Sequence, residues 1–415
     1  MGNSDLVMNI LMITHKHKSA SIPRSFAMAR QLVLLGHHVT LMLISNNKKV
    51  GFTEYDWEGI QVIETPDLLW GRLRSGWDIW NSINRCLYLR KVTEHFDLIH
   101  CFETRPATIY PALYFSKKQH IPIITDWNDW WGRHGLIDVN RPYWYRLLGG
   151  WLETYFEEAF RAKAAGLTVI AKGLEQRAIE LGVDPDNICY ISGGASTDYL
   201  KQKDKQECRK LADLPLEGPI LGFASADSYL DFEIILASLA LVIRKYPGTK
   251  LIVTGQVRQN IRNLVSKYHM EEHVIASGYL TREKYSIFLR SSDVFLLPMD
   301  DRPYNVGRWP NKMCDYLSFA RPTISNPIGD IKTLFENYNV GLLARWEPED
   351  FANKILYYLD NPDQANVAGQ KAHWVAENMY NWAFLGKTLE KFYFKILAKY
   401  NSTSPSDENK AKSNG

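Results

Sequence analysis

A proline, a lysine and an aspartate stand close together late in the chain, as Pro310, Lys312 and Asp315. They follow a short apolar run that ends in Pro298, within the stretch Phe295 to Gly329. A proline at the first position of a helix leaves the free N–H groups of that end pointing into the preceding loop, where the helix partial charge attracts anions. Lys312, two residues in, adds a positive charge, and Asp315, three further on, shares its face. An ammonium at a helix N-terminus suits a diphosphate, and the carboxylate can accept two hydrogen bonds from a ribose diol. The spacing therefore predicts a phosphorylated ligand, a nucleoside diphosphate. The competing explanation is an exposed Lys–Asp pair, worth under about 1 kcal/mol.

Such a helix end needs a scaffold. Short apolar, β-branched runs at 9–14, 39–44, 97–101, 121–125, 167–170 and 188–191 alternate with segments of helical period, and the rhythm resumes at 219–224, 251–254, 274–276, 294–297 and 323–325. Continuous apolar strands separated by helices make parallel sheets. The expected fold class is α/β, with two doubly wound, Rossmann-like domains and a cleft between them. The first domain spans 1–200, a charged connector 201–218, the second domain 219–381, a helix bracing the first domain 382–400, and a disordered polar tail 401–415. The first strand–helix junction carries no G-x-G-x-x-G, which removes the main support for a dinucleotide cofactor. Ser21 and Pro23 suit a helix start there, and Arg24 is expected at the crevice mouth.

At 415 residues the chain is long enough for two or three domains. A formal charge of +3, from 49 Lys and Arg against 46 Asp and Glu, is too weak for a nucleic-acid footprint. Five cysteines without C-x-x-C spacing argue against a disulfide framework or a zinc site. No apolar run reaches the length of a membrane span, and no basic-then-apolar leader precedes the first strand, so a cytoplasmic location is expected.

Eight of the 13 tryptophans fall between Trp70 and Trp151. Arg72, Arg74, Arg85, Arg90 and Lys91 lie near several of them with one acid, Asp78. Two readings stand: the rings pack a core or line a soluble acceptor groove, or a basic surface helix docks on anionic lipid at the inner face of a membrane.

Several segments in order resemble the GT-B glycosyltransferases of family four, retaining enzymes that use nucleotide sugars. The segments are Arg24 to Leu41, Asp97 to His100, Ile252 to Gly255, Ser277 to Leu280 (S-G-Y-L), Ser291 to Pro298, and the stretch through Asp315 to Gly329. The resemblance implies a transferase moving a sugar from a nucleotide diphosphate donor to a hydroxyl on a glycan or lipid-linked acceptor, with no metal and no nucleic acid. It puts the acceptor side in the first domain and the donor in the second, with Gly278 and Tyr279 at the donor. In the family two glutamates separated by seven residues hold ribose and donor sugar. Asp315 matches the second; the first falls on Gly307, so Asn305 or Arg308 must reach the sugar. The basic residues usual after the second domain's first strand are absent from Gly222 to Phe232, leaving Lys312, Arg308 and the helix end to balance the diphosphate. In the first domain Asn128 and Asp129 stand at a His-Asp pair near the donor sugar. Asn128 can bond a hydroxyl but takes no proton, so Asp129, His100 and His134 are candidates to orient or deprotonate the acceptor. Asp184 and Asp186, spaced like a metal clamp, lie away from the expected crevice. The competing assignments are a sugar-nucleotide epimerase and a catalytically inactive nucleotide-binding subunit.

Overall fold

The computed structural model describes residues 6–17, 24–45, 50–67, 76–196, 203–224 and 229–403. Two compact units result, one of residues 1–192 with 382–415 and one of 193–381.

The first unit runs β1 (Asn9–Thr14), α1 (Arg24–Leu34), β2 (His38–Ile44), β3 (Thr53–Trp57), β4 (Ile60–Thr65), α2 (Ile79–Lys91), β5 (Leu98–Phe102), α3 (Pro106–Gln119), β6 (Ile123–Trp127), α4 (Ile137–Asn140), α5 (Tyr143–Glu158), β7 (Gly166–Val169), α6 (Lys172–Glu180) and β8 (Ile188–Tyr190). Its strands lie in the order β3-β4-β2-β1-β5-β6-β7-β8, with Ile10 of β1 between Val39 and Leu98. Only β3 is antiparallel. The β3–β4 hairpin was not expected. Its strand β3 is half solvated, and its turn rests on the left-handed pair Glu58 (φ 55) and Gly59 (φ 81), as a tight hairpin requires.

The second unit runs α7 (Lys205–Leu211), β9 (Ile220–Phe223), α8 (Tyr229–Val242), β10 (Lys250–Val253), α9 (Gln259–Lys267), β11 (Val274–Ala276), α10 (Arg282–Arg290), β12 (Val294–Leu297), α11 (Pro303–Val306), α12 (Asn311–Ser318), β13 (Thr323–Ser325), α13 (Gly329–Tyr338), β14 (Gly341–Leu343), α14 (Pro348–Asp360) and α15 (Pro362–Asn378). Its sheet is wholly parallel, in the order β11-β10-β9-β12-β13-β14. The strand order reverses between β1 and β5 in one sheet and between β9 and β12 in the other. The carboxyl ends of those strands are where open parallel sheets take ligands.

The last helix, α16 (Trp382–Thr403), returns to the first unit. Its Leu385, Leu389, Phe392 and Ile396 are buried with Ile10, Met12 and Leu32 on one face of the first sheet. Gly386 permits this approach, since a Cβ there would lie 2.6 Å from that of Gln31.

Three expectations are corrected. Residues 203–218 are not a connector, because α7 is packed into the second unit with Cys208 and Arg209 buried. Arg209 donates to the carbonyls of Ser291 and Gly218 and to the Asp293 carboxylate, which satisfies a cation whose neighbours in sequence read as solvated. The terminal helix continues to Thr403 rather than stopping at 400, and 404–415 lie outside the described residues. Arg85 is no surface cation: it is fully buried, donating to Thr65 Oγ1 and the Ala107 carbonyl. Trp70, Arg72, Arg74, Ser21 and Pro23 lie outside the described residues, as do 201–202 and 225–228. Among the described residues no helix is long and apolar enough to cross a membrane.

Candidate active site

In the second unit α12 is fixed over the strand-order reversal by Tyr316. Its buried hydroxyl accepts from the Ala224 N–H just past β9, at 2.7 Å, and donates to the Leu296 carbonyl of β12, at 3.3 Å, while its ring stacks on Phe295. Pro310 is the residue before the helix rather than its first turn, and the helix begins at Asn311. Lys312 therefore occupies the second helical position, where its Nζ lies 4.4 Å from the centre of the Phe223 ring at the end of β9. One turn along, Asp315 is half-buried and accepts a 2.7 Å hydrogen bond from the Tyr285 hydroxyl of α10. Loss of water pushes its carboxyl up to about 6, against the pull of Tyr285 and Arg282. Sequence reasoning missed both of these supporting residues. Their signal was faint, a Tyr and an Arg at helical spacing in the helix that follows S-G-Y-L.

Between β12 and α12 the expected polar loop contains the short helix α11. It buries Asn305, whose amide donates to the Asp300 carbonyl and carboxylate, and whose Oδ1 is buried with no protein partner. Arg308 is half-buried over the Tyr304 ring, its Nε likewise unpartnered. Gly278 is left-handed (φ 67), and its carbonyl accepts from the Gly255 N–H, tying I-V-T-G to S-G-Y-L. Tyr279 beside it is 85% exposed.

In the first unit the loop after β6 carries Asn128 and Asp129, both half-buried, with the Asn128 amide donating to the Asp129 carboxylate at 3.1 Å. The buried Glu157 of α5 pins this loop, accepting from the Trp127 indole and from the N–H groups of Trp131 and Gly132. His134 is exposed and left-handed (φ 65).

His100 does not join this group. It is fully buried, with one ring nitrogen bonded to the Tyr393 hydroxyl of α16 and the other to Thr168 Oγ1. Burial drives it down to about 4, so it is a neutral core histidine. Arg24 is partly committed, its Nε and one terminal nitrogen bonded to the buried Asp126 carboxylate and the Ser192 carbonyl. Asp184 and Asp186 serve α16, paired with Lys399 and Lys395.

Glu103 and His15 were missed. They follow β5 and β1, at the reversal of the first sheet, and both are buried. Glu103 sits in a left-handed backbone (φ 64), and burial pushes its carboxyl up to about 7 against Arg105 and Arg161. Burial and the Arg105 charge hold His15 neutral. Within F-E-T-R-P, Glu103 reads as an ordinary residue ahead of a helix.

Two doubly wound units in one chain match the architecture of GT-B proteins. The profile of the family described as glycosyl transferases group 1 matches residues 218–361, and that of the glycosyl transferase 4-like domain matches 23–194. The chain belongs to the group 1 glycosyltransferases. Among solved structures it is similar to a sucrose-phosphate synthase from Thermosynechococcus elongatus, with a TM-score of 0.74 and 16% identity over 94% of this chain and 100% of that one. A Rickettsia africae glycosyltransferase gives 0.69 at 16% identity over 94% and 99%, and Anabaena HepE in complex with UDP and glucose gives 0.65 at 13% over 92% and 98%. No curated protein sequence matches.

Proposed function

We propose that this glycosyltransferase moves a sugar from a nucleoside diphosphate sugar to a hydroxyl of a glycan or lipid-linked acceptor at a membrane face, with retention and without a metal. The observation that carries the donor reading is the placement of Lys312 and Asp315 on one helix at the β9–β12 reversal, the carboxylate held from behind by Tyr285. The complex of the structurally similar HepE with UDP and glucose supports it.

When the glycosidic bond of the donor breaks, charge accumulates on the diphosphate while the sugar becomes oxocarbenium-like, so stabilising the leaving group lowers the barrier most. Lys312 and the N–H groups opening α12 supply that stabilisation, and Asp315 accepts from the ribose diol. Asn305 Oδ1 and Arg308 Nε, both buried without protein partners, fit sugar hydroxyls and phosphate oxygens, where the family's first glutamate is replaced by Gly307. Gly278 and Tyr279 border the base. Asp129, oriented by Asn128, and Glu103 at the adjacent strand end receive the acceptor.

A thermal-shift panel of nucleoside diphosphates and their sugars tests the reading. Wild type is expected to shift with at least one of them, and Lys312→Ala and Asp315→Ala to lose the shift. Equal shifts in all three proteins would misplace the donor site. Binding with neither transfer nor hydrolysis would make the chain a binding subunit. Donor turnover without acceptor would indicate epimerase or hydrolase chemistry, and activity surviving EDTA is expected throughout.

A further inference from the structure

Among the described residues, the first unit carries an exposed apolar surface. Trp144, Leu147, Leu148, Trp151 and Tyr155 form a stripe along α5 at helical spacing, with exposures of 63, 64, 74, 66 and 49%. The opposite face of the same helix buries Glu153 and Glu157. The helix is thus inverted, with carboxylates inward and tryptophans outward. Both inward acids have protein partners: Glu153 binds Arg141 and Tyr145, and Glu157 pins the loop after β6. The outward stripe is therefore not the by-product of a misoriented helix.

A second apolar face adjoins it. Helices α2 and α3 form an open groove of about 610 Å³ between Ile79, Ile83, Leu87, Tyr110 and Tyr114. Phe156 of α5 lies edge-on to Tyr110 of α3, at 5.8 Å, and to Trp77 just before α2, at 5.5 Å, so the three helices meet around one buried ring. Cations predominate on the helices of this face, with Glu54 and Glu94 the acids beside α2. Neither α2 nor α3 contains an acidic residue, and Glu158, the third acid of α5, is paired with Arg177. Arg90, Lys91, Lys117 and Lys118 are exposed at the carboxyl ends of α2 and α3, which Lys118 joins by donating to the Arg90 and Val92 carbonyls.

We propose that α2, α3 and α5 together form a docking surface for an anionic lipid bilayer. Indole and phenol rings settle at the headgroup boundary, leucines enter the acyl region, and a flanking cluster of cations neutralises anionic headgroups. A second copy of this chain fits less well, because a two-fold contact over this face would bury four cations per copy with no carboxylate on the exposed faces of these helices to pair them. The proposal deepens the reading of an acceptor at a membrane face, and names the lipid class and the helices that reach it.

The test is sedimentation of the full chain with phosphatidylcholine vesicles, with and without phosphatidylglycerol, at low and high salt. The triple variant Trp144→Ser, Leu148→Ser, Trp151→Ser and the double variant Lys91→Glu, Lys117→Glu are run alongside. Wild type is expected to bind the phosphatidylglycerol vesicles at low salt, the triple variant to lose binding and the double variant to lose the preference for the anionic lipid. The thermal shift with nucleoside diphosphates reports folding and the donor site independently, and is expected to be unchanged in both variants. Wild type that stays in the supernatant at low salt overturns the proposal, as does a triple variant that binds as well as wild type. A concentration-dependent dimer abolished by the triple variant, with no vesicle binding, would assign the surface to a second copy instead.

Discussion

The Tyr285 hydroxyl donates to Asp315 Oδ2 across 2.7 Å, joining the helix that follows S-G-Y-L to the helix that carries the candidate donor lysine. The bond leaves the second carboxylate oxygen for a ligand and limits how far burial can raise the pKa.

Tyr285→Phe removes that donor, and a hydrogen bond to a charged group is worth about 1.5–3 kcal/mol, so the Asp315 titration should move upward from about 6 by roughly one to two units. A ribose diol needs the ionised carboxylate. Nucleotide affinity is therefore expected to fall in wild type as pH drops through about 6, and in Tyr285→Phe to fall already near neutral pH. Calorimetric titration from pH 5 to 8 reads this, and superimposable profiles would refute it.

Asp315→Asn separates stability from binding. The folded carboxyl titrates above its unfolded value, so its stabilising contribution is complete below about pH 4 and lost as pH rises through about 6. At pH 7 the wild-type carboxylate is ionised and half-buried, and the neutral amide should raise the stability of the ligand-free protein by on the order of 1 kcal/mol while weakening nucleotide binding. Urea denaturation with and without nucleotide checks both signs.

Glu103 follows the same rule over a higher window. Its contribution to stability is lost between about pH 4 and about pH 7, and Glu103→Gln should flatten the pH dependence of Tm over that interval. If Glu103 also receives the acceptor proton, the variant loses the limb near pH 7 of its kcat profile, whereas a purely structural role leaves that limb in place.

Tyr316→Phe strips the Ala224 N–H of its acceptor and the Leu296 carbonyl of its donor, both buried. Leaving such groups unpaired costs about 1–3 kcal/mol, visible as an earlier urea midpoint. Because Tyr316 fixes α12 over the strand reversal, nucleotide affinity should fall with stability.

The parallel sheets were legible because fully buried strands are apolar runs whatever they pack against. The hairpin β3–β4 and β14 were not, since one alternates with solvent and the other, Gly-Leu-Leu, has no β-branched residue and is only half-buried. Lys312 and Asp315 could be placed on one helix face by spacing alone, but Tyr285 and Arg282 reach Asp315 from about 30 residues away and leave no local mark. His100 was misjudged for a related reason. As an imidazole it was a candidate to deprotonate the acceptor, whereas its ring partner Tyr393 arrives 293 residues later in the chain. Asn305 was expected near the donor sugar and does keep one buried oxygen unpaired, yet its amide is already bound to Asp300.

Because the first sheet is covered on one side by α16, it is complete only once residues 382–403 have joined residues 6–192. A fragment ending at residue 192 would leave Ile10, Met12 and Leu32 without Leu389 and Phe392 above them. Supplying residues 382–403 as a separate peptide should restore it, so two segments far apart in the chain are complementary parts of one folding unit.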